Sequence, residues 1–265
     1  MSGVVAVSPD EMVTTLRHYP TVSEAYWRAL ELAHLRETCR REPFDRPMLE
    51  IGCGNGTFAA MLFPEIDEGV DLNPRAIERA RSTGVYRRLR CADASGIDDG
   101  EAAYATVFSN CVLEHVDGLA RLLARAARML RPGGKLLATV PLREMNDHLL
   151  VRSPWYAELR RRQLAHLNLL DESGWVDLVR SSGFRDVRLT PYLFGEDIRM
   201  WDRLDLPVSI GVGRYRVSTA TNLLLPLVPR PWRERARARI AAWMASVAGG
   251  PRTLPACAAI VVATR

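Results

Sequence analysis

Apolar positions along the chain change period repeatedly, and the changes mark out its elements. Over residues 9–42, Tyr26, Leu30, Ala33 and their neighbours recur every three or four positions, which predicts helix, and Pro43 and Pro47 close the segment. Short apolar runs then predict strands at 48–51, 69–72, 87–91 and 105–109. Between them fall a helix from Thr57 ended by Pro64 and a helix capped by Asn73 with Pro74 at its first position. Leu119, Leu122, Leu123, Ala126, Met129 and Leu130 share one helical face and read as core, and Arg131-Pro132-Gly133-Gly134 ends that helix before a strand at 135–140. Helices near 155–165 and 172–182, a strand at 186–189 and a last strand at 258–264 complete the pattern. Strand and helix alternate as in an α/β protein with a parallel sheet.

The last two strands are separated by residues 191–255, far more than a connection needs, so this segment reads as a helical insertion. It holds the apolar stretch 223–229 and an arginine-rich helix candidate at 232–247, in which Trp232, Ala236, Ile240 and Trp243 form one stripe. The organisation expected is a helical cap at 1–46, a core formed by 47–190 and 256–265, and the insertion between the two parts of the core.

Composition narrows the class. A chain of 265 residues, 48% hydrophobic, can bury a substantial core. The net charge of +5 is matched by the insertion alone, which has ten arginines against five acids. That distribution argues against a broad nucleic-acid surface and leaves a local basic patch, read first as a solvated helical face and second as a contact with an anionic membrane. Cys39, Cys53, Cys91, Cys111 and Cys257 are odd in number and lack paired metal-ligand spacing, so free thiols are expected. No secretory signal and no run of about 20 apolar residues is evident, which predicts a cytoplasmic protein.

The chemistry concentrates after the first strand, in Leu-Glu-Ile-Gly-Cys-Gly-Asn-Gly-Thr at 49–57. Gly52, Gly54 and Gly56 allow a sharp turn and close approach of a ligand to the backbone. A dinucleotide fingerprint needs glycine at the sixth position from Gly52, where Thr57 stands, so a pyrophosphate ligand is disfavoured. Glu50 and Asp71 suit instead a cationic ligand carrying a ribose diol.

These motifs, followed in order by Gly-Val-Asp-Leu-Asn, Cys-Ala-Asp-Ala, Val-Leu-Glu-His-Val and Leu-Arg-Pro-Gly-Gly-Lys-Leu, resemble the class I S-adenosylmethionine-dependent methyltransferases over roughly residues 46–141. The resemblance implies a Rossmann-like, doubly wound sheet of seven strands, mostly parallel, with the final two strands antiparallel. It implies S-adenosylmethionine as cofactor. Glu50, Gly52, Gly54, Asn55 and Gly56 would lie at its amino-acid end, with Asp71 on the ribose hydroxyls and Leu72 on the adenine face. Asp93 with Ala94 would meet the adenine, and Asn110 with Cys111 the methionine portion.

The acceptor is less legible. The stretch Ser-Asn-Cys-Val at 109–112 lacks the Asn/Asp-Pro-Pro-aromatic tetrapeptide of relatives that hold a flipped base. A small-molecule acceptor, methylated at oxygen, is expected, with the insertion shaping its pocket. A lipid-linked or prenylated acceptor at a membrane surface and a non-catalytic S-adenosylmethionine-binding protein are the alternatives. Glu114-His115 resembles a cation-binding pair of quinone-type O-methyltransferases, which carry a further glutamate three residues earlier. Cys111 stands there, a poor partner for hard cations, so no metal is expected. A hydroxyl acceptor needs a proton acceptor, for which His166 and then His115 are the candidates, with His148 a third.

Overall fold

A computed structural model describes residues 5–97, 100–209, 211–212, 215–216 and 228–265. Two helices, α1 (Pro9–His18) and α2 (Val22–Arg41), precede the core. The core runs β1 (Met48–Ile51), α3 (Thr57–Leu62), β2 (Ile66–Asp71), α4 (Pro74–Arg81), β3 (Tyr86–Cys91) and β4 (Tyr104–Asn110). It continues through α5 (Leu119–Met129), β5 (Leu130–Pro141), α6 (Pro154–Gln163), α7 (Glu172–Ser181) and β6 (Arg185–Phe194). Then follow α8 (Gly195–Ser209), a short hairpin of β7 (Gly211–Val212) and β8 (Tyr215–Arg216), α9 (Arg230–Ala248) and β9 (Ala256–Thr264).

Seven strands form one sheet in the order β3-β2-β1-β4-β5-β9-β6. The first five are parallel, and β9 runs antiparallel to both β5 and β6. The doubly wound, mostly parallel sheet is the fold the motifs imply. Strand side chains alternate between two core layers with the period-2 geometry of a strand. Met48, Phe108, Leu137 and Ile260 face α2, α8 and α9, whereas Leu49, Val107, Leu136 and Val261 face α5 and α7. The predicted apolar face of α5 is buried throughout.

Four details depart from the sequence reading. The single helix expected over 9–42 is two, because Pro20 pushes Tyr19 into extended backbone (φ −109°, ψ 140°) and Thr21 caps a new start. The fifth strand begins at Leu130, whose pairing with Tyr104 is followed by a register shift before the pairing resumes at Lys135. The strand expected at 186–189 continues through Pro191 to Phe194, which is tolerated because β6 is the sheet edge and its register shifts there. The insertion proper therefore starts at Gly195. Finally, α9 turns most of the expected apolar stripe outward: Trp232, Ala236 and Trp243 are exposed and Ile240 is half-buried, while Ala241, Met244 and Ala248 face the core and the helix packs beside α1. Small side chains on the buried face let the helix approach, and three or four inward positions suffice to seat it. Of the apolar stretch 223–229, residues 223–227 lie outside the described residues.

The insertion is tied down by a buried ion pair. Asp197 of α8 accepts from Arg252 Nε and Nη2 at 2.9 and 2.7 Å, from the Tyr26 hydroxyl at 2.9 Å and from the Phe194 amide at 3.0 Å. Removing one member leaves a buried charge uncompensated. Asp197→Ala should therefore lower the unfolding free energy by about 3–5 kcal/mol, read from urea denaturation; a loss below about 1 kcal/mol would mean that solvent reaches the site.

Candidate active site

Strand order reverses between β1 and β4, and ligands of open α/β sheets gather at the carboxyl end of such a switch point. The glycine turn lies there. Gly52, Gly54 and Gly56 have φ of 74°, 54° and 73°. A Cβ on Gly52 would lie 2.3 Å from Val112 Cγ2, immediately beyond β4, so the turn can approach that loop only as glycine. At Gly54 a Cβ would meet nothing within 4 Å, which leaves an open face beside the backbone.

Asp71 braces this turn. Its carboxylate accepts from the Gly54 amide through Oδ2 and from the Asn73 amide through Oδ1, both at 2.8 Å. Glu50 is buried beneath the turn and accepts from the Tyr86 hydroxyl at 2.6 Å. Burial pushes its carboxyl up to about 8, against the lowering effect of that hydrogen bond. Asn55 Oδ1 takes the Thr57 amide at the start of α3, Asp93 takes the Ser95 amide, and hydrogen bonds from the Ser95 side chain and then its amide hold Asp93 below its ordinary value. Both side chains thus have local structural work. Leu72 is 71% exposed between these acids, an apolar surface beside Asp71.

Beyond β4 the chain enters a buried polar group that sequence reading missed. Arg28 of α2 donates through Nη1 to Glu31 at 2.6 Å and to Asn110 Oδ1 at 2.9 Å. Glu31 also accepts from Cys111 Sγ at 3.1 Å and from the Tyr192 hydroxyl at 3.0 Å. Cys111 is a non-glycine residue at φ 49°, held by its amide to Thr139 Oγ1 at 3.0 Å. The signal available in the sequence was Glu31 itself, a carboxylate inside the apolar span of a helix.

Beside this group opens a cavity of about 420 Å³. Its walls come from the α1–α2 turn and α2 (Thr21, Trp27, Arg28), the loop after β4 (Cys111, Glu114, His115), the segment after α6 (Leu164, His166) and α8 (Trp201, Asp205, Val208). Cap and insertion thus both build it. Among the described residues α8 contributes to the wall, whereas α9 does not.

Two of the candidate histidines come together here and the third does not. The rings of His115 and His166 are 5.4 Å apart, whereas His148 sits near Gly195 and Arg199, outside the wall. The turn carrying His115 is clamped to the segment carrying His166. Leu167 and Asn168 donate their amides to the Glu114 carbonyl, and Asn168 Nδ2 donates to the carbonyls of Leu113 and Val116. Burial lowers the His166 imidazole to about 4, with His115 and Arg161 adding to the effect, so it is neutral. Glu114 is buried and pushed up to about 8, again by burial.

Comparison with known proteins agrees with the geometry. A methyltransferase-domain family profile matches residues 25–189. The chain is 30% identical over 187 residues to a malonyl-[acyl-carrier protein] O-methyltransferase of Alcanivorax borkumensis, covering 65% of this chain and 62% of that protein. It is 30% identical over 116 residues to the 27-O-demethylrifamycin SV methyltransferase of Amycolatopsis mediterranei, covering 40% of each. The chain therefore spans less than two thirds of the length of these relatives. Among solved structures, a SAM-dependent methyltransferase from Archaeoglobus fulgidus superposes with a TM-score of 0.55 at 17% identity, covering 90% of this chain and 94% of that one. The chain belongs to the methyltransferase-domain family, on the fold that this S-adenosylmethionine-dependent methyltransferase displays. No helix among the described residues is long and apolar enough to cross a membrane.

The buried acid beneath the turn gives a pH signature. Between the ordinary carboxylate value of about 4.3 and its raised value of about 8, folded Glu50 keeps a proton that the unfolded chain releases. Its contribution therefore falls as pH rises through that window and is flat above it. Ligand-free Glu50→Gln should match the parent at pH 5 and exceed its stability at pH 8 by roughly a few kcal/mol, measured by calorimetry. Parallel curves would show Glu50 to be ionised throughout.

Proposed function

We propose that this protein transfers a methyl group from S-adenosylmethionine to an oxygen of a small molecule held in the cavity. The observation that carries this reading is that Cys111 both lines the cavity and follows Asn110 at the end of β4, beside the glycine turn. When bound, the cofactor supplies a methyl group already activated on a cationic sulfur, so that alignment of an acceptor and exclusion of water suffice. The names of the relatives place their methyl groups on oxygen, which supports the choice of atom.

In this reading Glu50, Gly52, Gly54, Asn55 and Gly56 cradle the amino-acid end of the cofactor. Each Asp71 oxygen, already holding one amide, retains lone-pair capacity for a ribose hydroxyl. Leu72 packs on the adenine, with Asp93 and Ala94 at its edge. Asn110 and Cys111 line the methionine portion, and Arg28 supplies a fixed positive charge for a carboxylate of cofactor or acceptor. Trp27 and Trp201, in edge contact at 5.5 Å, form an apolar wall that keeps water from the acceptor. His166 and His115 face the acceptor and receive the proton that a hydroxyl gives up.

A second reading rests on α9, whose outer face carries exposed Trp232 and Trp243 beside Arg235 and Arg239. That face suits an anionic membrane surface and an acceptor residing there. Cosedimentation with vesicles containing phosphatidylglycerol, abolished in Trp232→Ser/Trp243→Ser, supports it; equal pelleting with neutral vesicles does not.

Calorimetry should detect S-adenosylmethionine and S-adenosylhomocysteine binding, and Asp71→Ala should weaken it by about 1.5–3 kcal/mol for each charged hydrogen bond lost. Unchanged affinity removes Asp71 from the cofactor site. Incubation with methyl-labelled cofactor and pools of carboxylic acids, phenols and alcohols should then transfer label to oxygen. Label on nitrogen or carbon, or tight binding without transfer to any pool, overturns the proposed reaction. Once an acceptor is found, His166→Ala and His115→Ala should slow turnover by about 100- to 10,000-fold, with cofactor affinity within about threefold of the parent's. Near-normal turnover in both would leave alignment alone to act.

A further inference from the structure

The cavity wall contains an arrangement that no pair of neighbouring motifs announces. Glu114, His115 and His166 each offer one ligand atom, and the three atoms lie within 4.8 Å of one another. Bonds of about 2.1 Å to a common ion place donor atoms roughly 3–3.5 Å apart, a distance that modest side-chain rotations reach from here.

Three further observations point to a ligand. Glu114 is 2% exposed, and its Oε2 has no hydrogen-bond partner, an expensive state for a buried carboxylate oxygen. His115 Nδ1 lies 3.0 Å from the Ala165 carbonyl, which fixes the tautomer: Nδ1 carries the proton and donates, so Nε2 presents a lone pair. That nitrogen is 3.7 Å from Glu114 Oε1. Ala165 itself is a non-glycine residue at φ 54°, a backbone state that the surrounding hydrogen bonds sustain immediately before His166. The arrangement is therefore pre-organised by a backbone carbonyl behind the histidine, as metal-ligating histidines usually are.

We infer that Glu114, His115 and His166 bind one divalent first-row transition ion at the wall of the acceptor cavity. Two imidazoles with one carboxylate favour borderline ions such as zinc, cobalt or nickel over magnesium. Three protein ligands facing a cavity leave coordination positions open toward it. The donor set differs from the glutamate-rich pattern that Cys111 interrupts: the Cys111 thiol is turned to Glu31, and the third ligand comes from His166, 51 positions after His115 and its near neighbour only in space. The inference rests on the cavity's being the acceptor site only for its role, not for binding itself; with the ion bound, the imidazole lone pairs are taken, so the histidines accept the acceptor's proton only in the ion-free protein.

The test uses the full chain, stripped with chelator and desalted. Titration with cobalt should give one equivalent with ligand-field absorption bands, and calorimetry with zinc should give the same stoichiometry. Glu114→Gln, His115→Gln and His166→Gln should each weaken binding at least about tenfold, while His148→Ala leaves it unchanged. Should any variant fold poorly by circular dichroism, the parent supplies an independent reading: zinc should raise its melting temperature, and the rise should be absent in whichever histidine variant folds. Binding that survives His166→Gln, or no stoichiometric binding of either ion by the parent, overturns the site. S-adenosylhomocysteine affinity measured on the same samples separates the two proposals, because loss of the metal site leaves cofactor binding intact and failure of the methyltransferase reading does not.

Discussion

Glu31 is the group on which the arrangement of this molecule turns. A carboxylate in the apolar span of α2 is costly unless it is paired and hydrogen-bonded. Its partners come from three places in the chain: Arg28 one helical turn away, Cys111 after β4 and Tyr192 on β6. The Cys111 thiol and the Tyr192 hydroxyl are both pushed well above their ordinary values, by burial first and by Glu31 next, so each stays protonated and donates. Meeting these requirements together fixes α2 across the carboxyl ends of the strands.

The cavity follows from that docking. With α2 held there, Trp27 and Arg28 form part of the wall, and α8 continues it through Trp201 in edge contact with Trp27. α8 is secured by a second buried group in which Arg160 pairs with Asp202 at 3.0 Å and Asp205 at 2.7 Å and lies 4.8 Å from the Trp201 ring centre. The sheet supplies a fixed floor of backbone and glycine turn, while cap and insertion supply side chains. In the proposed function, such a division lets acceptor preference change by exchange of residues on α2 and α8 without disturbing the turn.

Much of the cofactor half was legible because its constraints are local. Gly52, Gly54 and Gly56 hold positive φ, Asn73 and Pro74 begin a helix in the order that helix starts favour, and Asp71 accepts the Asn73 amide two positions on. The acceptor half was far less so. Arg28 reads as one more helical arginine until Asn110 is placed beside it, and Tyr86 reads as a strand aromatic until Glu50 lies beneath it. The Trp232–Trp243 stripe had helical spacing, yet spacing alone cannot say which face a helix presents, and Ala241, Met244 and Ala248 took the buried side.

The sequence by itself determined the alternating elements, the strand-to-helix turns and the class of cofactor, since period, capping and glycine conformation act over a few residues. Tertiary structure alone decided where α2 docks, which part of the insertion reaches the cavity, and that Glu114 and His115 meet His166 rather than Cys111. Those outcomes depend on buried polar groups finding partners from distant segments, and such pairing is settled by the packing of the whole chain and not by any short stretch of it.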